Sequence, residues 1–179
     1  MTQTARLYGD SLYELAVEEQ LEETMIEQLK EVRQLFRENP DYLSLLSEPS
    51  IPKKDRTEMI EAAFGTQAQR YLVNFLKILC ERGILREFSG CVEEFTRRYY
   101  ADHNIAEAVV TGAVRLTDDQ MNRLQARLEQ ISGKKISLVQ KIDPSVLGGL
   151  RVELEGKLMD GTISGRLSGV SRKLGEVIV

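Results

Sequence analysis

The sequence contains no tryptophan, one histidine, two cysteines and four prolines in 179 residues. A single histidine cannot complete the usual zinc spacings, and Cys80 and Cys91 stand eleven positions apart without a C-x-x-C pattern. The two thiols read as reduced, buried small hydrophobes, and neither a metal nor a cofactor is expected. Long apolar runs are missing too. The longest, such as Ala108-Val109-Val110, cover three or four residues, against the ~20 that cross a bilayer. A concentrated basic face is also absent. Residues 1–104 hold 13 basic and 19 acidic groups and residues 105–179 hold 11 and 9, differences of −6 and +2 that sum to the net charge of −4. Nucleic acid is therefore a poor partner, because phosphate binding needs clustered cations. The opening Met1-Thr2-Gln3-Thr4-Ala5-Arg6 leads into an amphipathic segment with Asp10 and Glu14, unlike a signal or transit sequence. A cytoplasmic, bacterial setting is the expectation.

The most informative absence is regional. All five Phe and six Tyr lie between Tyr8 and Tyr100, so the last 79 residues contain no aromatic ring. One uniform core would not divide its rings in this way. The expectation is an α+β protein: an all-α six-helix bundle over 1–104, then a small α/β domain over 105–179.

The front half is a succession of helical stripes. Ala5, Tyr8, Leu12, Leu15 and Ala16 mark the first helix, and Leu21, Met25, Leu29, Val32 and Phe36 mark the second. Pro40 stops the second helix by disfavouring the helical conformation at Asn39. A short helix over 41–47, a loop with Pro49 and Pro52, and a helix from Lys53 to Phe64 follow. Gly65 is expected to close that helix in the left-handed conformation. Tyr71 to Leu79 forms a fifth helix ending at Gly83, and Leu85 to Tyr99 a sixth with Asn104 as its cap. Short connections make this an antiparallel bundle.

After Asn104 the period becomes strand-like. Ala106, Ala108 and Val110 alternate with other residues, and Gly112 suggests a bulge. Thr117-Asp118-Asp119-Gln120 has capping-box spacing ahead of a helix that runs to Gly133. Ile136, Leu138 and Ile142 share one face of the next strand, interrupted by Gln140. Leu150, Val152 and Leu154 alternate with charged residues as in a half-buried strand, and Glu155-Gly156 is a hairpin turn. Ile163, Leu167, Val170, Leu174 and Val177 predict a closing helix.

Chemistry is hard to find. Ser132-Gly133-Lys134-Lys135 and the segment from Gly161 to Arg166 resemble only fragments of a phosphate-binding loop. His103 lies in a polar helix end that suits capping better than catalysis. Glu18, Glu19, Glu22 and Glu23 lack the Glu-x-x-His partner of a carboxylate metal centre and read as a solvated helix start. The remaining motif is Asp143-Pro144 with Gly148-Gly149, in which paired glycines before a strand imply positive φ or close backbone approach. Spacing alone favours a tight β connection there.

The segment from Asp143 to Val152, continued through Lys157-Leu158-Met159-Asp160-Gly161-Thr162-Ile163, resembles the C-terminal signature of the delta subunit of F-type ATP synthases, whose mitochondrial counterpart is the oligomycin sensitivity-conferring protein. Ala5-Arg6-Leu7-Tyr8-Gly9-Asp10-Ser11-Leu12-Tyr13-Glu14-Leu15-Ala16 resembles that family's first helix, departing at Gly9 and Asp10, where relatives commonly carry alanine and lysine. The resemblance implies a non-catalytic stator protein. Its bundle would hold the N-terminal helix of an alpha subunit, its C-terminal domain would meet b-type peripheral-stalk subunits, and membrane association would come only through the complex.

On that basis a groove between the first and fifth helices is expected to use Tyr8, Leu12, Leu76, Ile78 and Leu79. Asp143, Pro144, Gly148 and Gly149 form the signature turn, and Leu167, Val170, Leu174 and Ile178 form a stalk-facing surface on the last helix. Two other readings stay open: a helical-bundle adaptor of another complex, and a small enzyme using the back-half glycine turns.

Overall fold

A computed structural model describes residues 2–146 and 148–161. The chain divides into two compact units, Met1–Tyr100 and Ala101–Val179. Six helices make the first: α1 (Gln3–Glu18), α2 (Glu22–Glu38), α3 (Pro40–Leu46), α4 (Lys53–Phe64), α5 (Arg70–Glu81) and α6 (Phe88–Asp102), the last running slightly past the unit's end. The Thr2 hydroxyl caps α1 by accepting from the Ala5 amide at 3.1 Å. Pro40 opens α3, where its missing N–H costs no helical bond.

Gly65 departs from expectation. Its φ of −61° is right-handed, and the chain continues into another turn in which the Ala68 amide donates to the Phe64 carbonyl at 2.9 Å. The left-handed glycine of the bundle is Gly83, φ +70°, after α5. A 3-10 turn over Leu85–Glu87 then leads into α6, a detail that a continuous apolar stripe conceals.

Rings organise the bundle core. Tyr13 meets Phe95 edge-on at 5.2 Å between centroids. A second series runs from Tyr8 to Phe75 and from Phe75 to Phe88, each at 6.5 Å, and on to Phe36 at 5.5 Å. Such pairs add about 0.5–1.5 kcal/mol each beyond area burial. Arg56 is buried and donates from Nη1 to the Leu46 carbonyl at 3.1 Å. It thereby satisfies an acceptor that the end of α3 leaves open.

The two departures on α1 have physical causes. A β-carbon at Gly9 would lie 2.5 Å from the Cys91 carbonyl oxygen and 2.8 Å from the Glu94 β-carbon, so glycine permits α1 and α6 to touch. Asp10 accepts a 2.7 Å bond from Arg98 of α6. Beside them Glu94 is 1% exposed and takes two hydrogen bonds from Arg97. Those bonds hold its carboxyl below the usual carboxylate range against the opposing effect of burial.

In the second unit the strands are β1 (Ile105–Gly112), β2 (Lys135–Ile142), β3 (Leu150–Leu154) and β4 (Lys157–Asp160), with α7 (Asp118–Ser132) between β1 and β2. The sheet order is β2-β1-β3-β4. β1 and β2 are parallel, as a helical crossover requires, and β3 and β4 join antiparallel. The capping box at the start of α7 is complete, with Thr117 Oγ1 accepting from the Gln120 amide and Gln120 Oε1 accepting from the Thr117 amide.

Gly112 is no bulge. It keeps register with Ile142 on one side and Leu150 on the other, and a β-carbon there would press on Leu150 Cδ2 at 2.9 Å. Gln140, the polar interruption in β2, fixes the connection before α7 by accepting from the Leu116 amide and donating to the Val114 carbonyl. Ile142 shares its face but stands 58% exposed. The core of this unit is aliphatic, built on Ala106, Ala108, Val110, Leu128, Ile136 and Val152.

Candidate helix-binding groove

Helices α1 and α5 bury Ala5, Leu12, Ala16, Leu72, Leu76 and Leu79. Their outward shoulders leave a trough of about 370 Å³ lined by Leu7, Tyr8, Ser11, Leu12, Phe75 and Ile78. The structure thus brings Tyr8, Leu12 and Ile78 together at one surface. Leu76 and Leu79 lie elsewhere: both are 0% exposed, inside the bundle core. The reason is helical phase, because Ile78 follows Leu76 by about 200° at ~100° per residue. A partner would reach Leu76 or Leu79 only by opening the fold.

Leu7, Ser11 and Phe75 complete the trough and were absent from the expected set. Leu7 carried a usable signal. It lies outside the stripe of Ala5, Tyr8, Leu12, Leu15 and Ala16, and it is 64% exposed, so no core demand accounts for it. The pairs Leu7/Ser11 and Tyr8/Leu12 are both spaced i, i+4, which places them as two parallel rows along α1. Ile78 opposes them from α5 and is 45% exposed. No residue of this lining is charged.

The signature residues build a turn. The Asp143 carboxylate accepts from the Ser145 amide at 2.9 Å and the Ser145 hydroxyl at 2.7 Å, bonds that hold its carboxyl below the ordinary range. Its own amide donates to the Gly112 carbonyl. Pro144 sits exposed in that turn, and Gly148 and Gly149 take φ of +64° and +79°. These are left-handed values that side chains disfavour, and they aim the chain into β3. Leu167, Val170, Leu174 and Ile178 lie outside the described residues. Among the described residues no cluster of three His, Cys, Asp or Glu is placed to hold a metal, and no helix is long and apolar enough to cross a membrane.

A six-helix bundle carrying an uncharged surface trough, followed by an α/β unit with a four-stranded sheet among the described residues, defines an α+β protein. The family model "ATP synthase delta (OSCP) subunit" matches residues 4–174. The chain belongs to that family, the peripheral-stalk subunits of F-type ATP synthase. It is similar to the ATP synthase subunit delta of Alkaliphilus oremlandii, 30% identical over 98% of this chain and 97% of that one. The subunit delta of Prochlorococcus marinus subsp. pastoris is 32% identical over 94% and 92%. The fold matches a chain in the cryo-EM structure of the Toxoplasma gondii mitochondrial ATP synthase hexamer, with a TM-score of 0.73 at 13% identity, covering 97% of this chain and 98% of that one.

Proposed function

We propose that this chain is a non-catalytic tie in the stator of a proton-translocating F-type ATP synthase. Its bundle holds the N-terminal helix of an alpha subunit in the α1/α5 trough, and the unit from Ala101 onward meets b-type stalk subunits. The observation that carries this reading is the trough. Tyr8, Leu12, Phe75 and Ile78 offer apolar contacts in rows, the form that accepts anchors spaced i, i+3 and i+4 on an amphipathic helix. Such a tie holds the catalytic head against the rotor without bond chemistry. It reaches the cytoplasmic face of the plasma membrane through the complex alone.

The test is calorimetric titration of the full chain with the cognate alpha subunit's N-terminal peptide. Ile78→Asp places a charge in the trough while leaving the core intact, and it should weaken binding at least tenfold, about 1.4 kcal/mol. Unchanged affinity in a folded Ile78→Asp protein would refute the groove assignment. Leu79→Ala should instead lower stability, by about 2–5 kcal/mol, with the affinity of the folded fraction retained. For the stalk contact, deleting residues 163–179 should abolish capture of b-type subunits and spare alpha-peptide binding.

A further inference from the structure

A second cleft in the bundle, about 650 Å³, lies where α2 faces the 3-10 turn and the start of α6. Lys30, Arg33 and Arg37 rise from successive turns of α2, and Arg86 faces them from the 3-10 turn. The only acid in the lining is Glu93. This grouping runs against the surrounding charge. Residues 1–104 hold 19 acidic groups and 13 basic ones, yet four of those cations border one cleft.

Some bundle arginines find carboxylates, as Arg98 finds Asp10 and Arg97 finds Glu94. Among the described residues Arg33, Arg37 and Arg86 have neither an ion pair nor a hydrogen bond to a side chain. Lys30 meets only a neutral partner: it donates to the Tyr100 hydroxyl at 3.4 Å and lies 5.4 Å from that ring's centroid. Cations at i, i+3 and i+4 spacing repel one another and weaken an isolated helix. An anionic partner would reverse that penalty.

We propose that this cleft docks an acidic segment of a partner protein. Arginine guanidinium groups match carboxylates with two parallel hydrogen bonds, and three of the four cations are arginines. Between the cations, the edges of Phe36, Leu43 and Phe88 give an apolar floor for one aliphatic or aromatic side chain of the segment. A polyphosphate fits less well. The lining contains no glycine-rich loop to aim amides at phosphate oxygens, and Glu93 would oppose dense negative charge. The site is separate in residues from the α1/α5 trough.

The experiment is a titration of the full isotope-labelled chain with the synthetic peptide acetyl-EELFEE-amide, read by amide chemical shifts. Saturable shifts are expected at Arg33, Leu43, Arg86 and Ser89, weakening as salt rises. The Arg33→Glu, Arg86→Glu double variant should lose at least tenfold in affinity with unchanged circular dichroism. The Ile78→Asp variant should bind this peptide normally, so failure of the trough assignment and failure of this one are distinguishable. Shifts that fail to saturate, affinity retained in the double variant, or equal binding of acetyl-KKLFKK-amide would overturn the proposal. So would pyrophosphate producing the same shifts with higher affinity than the acidic peptide, since the cleft would then be a phosphate site.

Discussion

Replacing Gly9 by alanine sets two effects of opposite sign against each other. In a helix exposed to water the change would stabilise by about 1 kcal/mol, because alanine loses less backbone entropy. At this position the new methyl group would meet the Cys91 carbonyl oxygen at 2.5 Å, the Glu94 β-carbon at 2.8 Å and the Cys91 α-carbon at 3.1 Å. None of these atoms can rotate away, since two belong to the α6 backbone and the third is fixed to it. The helices must separate by several tenths of an ångström, and overpacking of this kind costs about 1–3 kcal/mol. The clash should cancel or outweigh the propensity gain, for a net loss of up to about 2 kcal/mol. Urea denaturation followed at 222 nm should show a lower midpoint with an unchanged slope. Heating should show a fall of about 4–8 °C per kcal/mol for a unit of this size. Gly83→Ala supplies the contrast, with open space around it but φ of +70°, so its loss would come from backbone strain alone. A Gly9→Ala protein more stable than the parent would refute the close-contact account.

Two further outcomes follow from buried groups. Arg97 lowers the folded pKa of Glu94 below its unfolded value, so this pair stabilises the fold above the unfolded carboxylate pKa of about 4.3 and the contribution is lost as pH falls through the folded value. Glu94→Gln should therefore flatten the acid limb of stability measured from neutral pH down to about pH 3; an acid limb identical to the parent's would exclude Glu94 from it. Burial pushes the Cys91 thiol up to about 12, and Cys80 is raised by the same cause. Iodoacetamide at about pH 8 should then modify neither thiol except through unfolding, and rapid native-state labelling followed by mass spectrometry would contradict that burial.

Much of the fold was legible because its signals are local. Apolar stripes placed the helices, and Thr117 with Gln120 announced α7 through a cap that needs only neighbouring residues. The misses arose where tertiary contact decides. Gly65 does close α4, but in a right-handed conformation, because nothing in a glycine's identity dictates which of its allowed conformations the following turn requires. Gly112 looked like a bulge, whereas the lack of a side chain makes room for Leu150 across the sheet. The trough was half legible for a related reason. Periodicity says that Leu76 and Leu79 are apolar on α5 but not which side of the stripe remains open, and that depends on where α1 packs. Leu7 was the residue that core packing did not need.

The sheet order has a mechanical consequence for a protein under torque. β1 receives the chain directly from the helical region and lies between two partners, with eight residue pairs to β2 and five to β3. Its interstrand hydrogen bonds run largely across the strand, so a pull along β1 loads them in shear and many must fail together. Among the described residues β4 has four pairs, all to β3, and a pull across it would peel them in succession. The same sheet thus has a stiff axis and a weak edge, and the chain enters it along the stiff one.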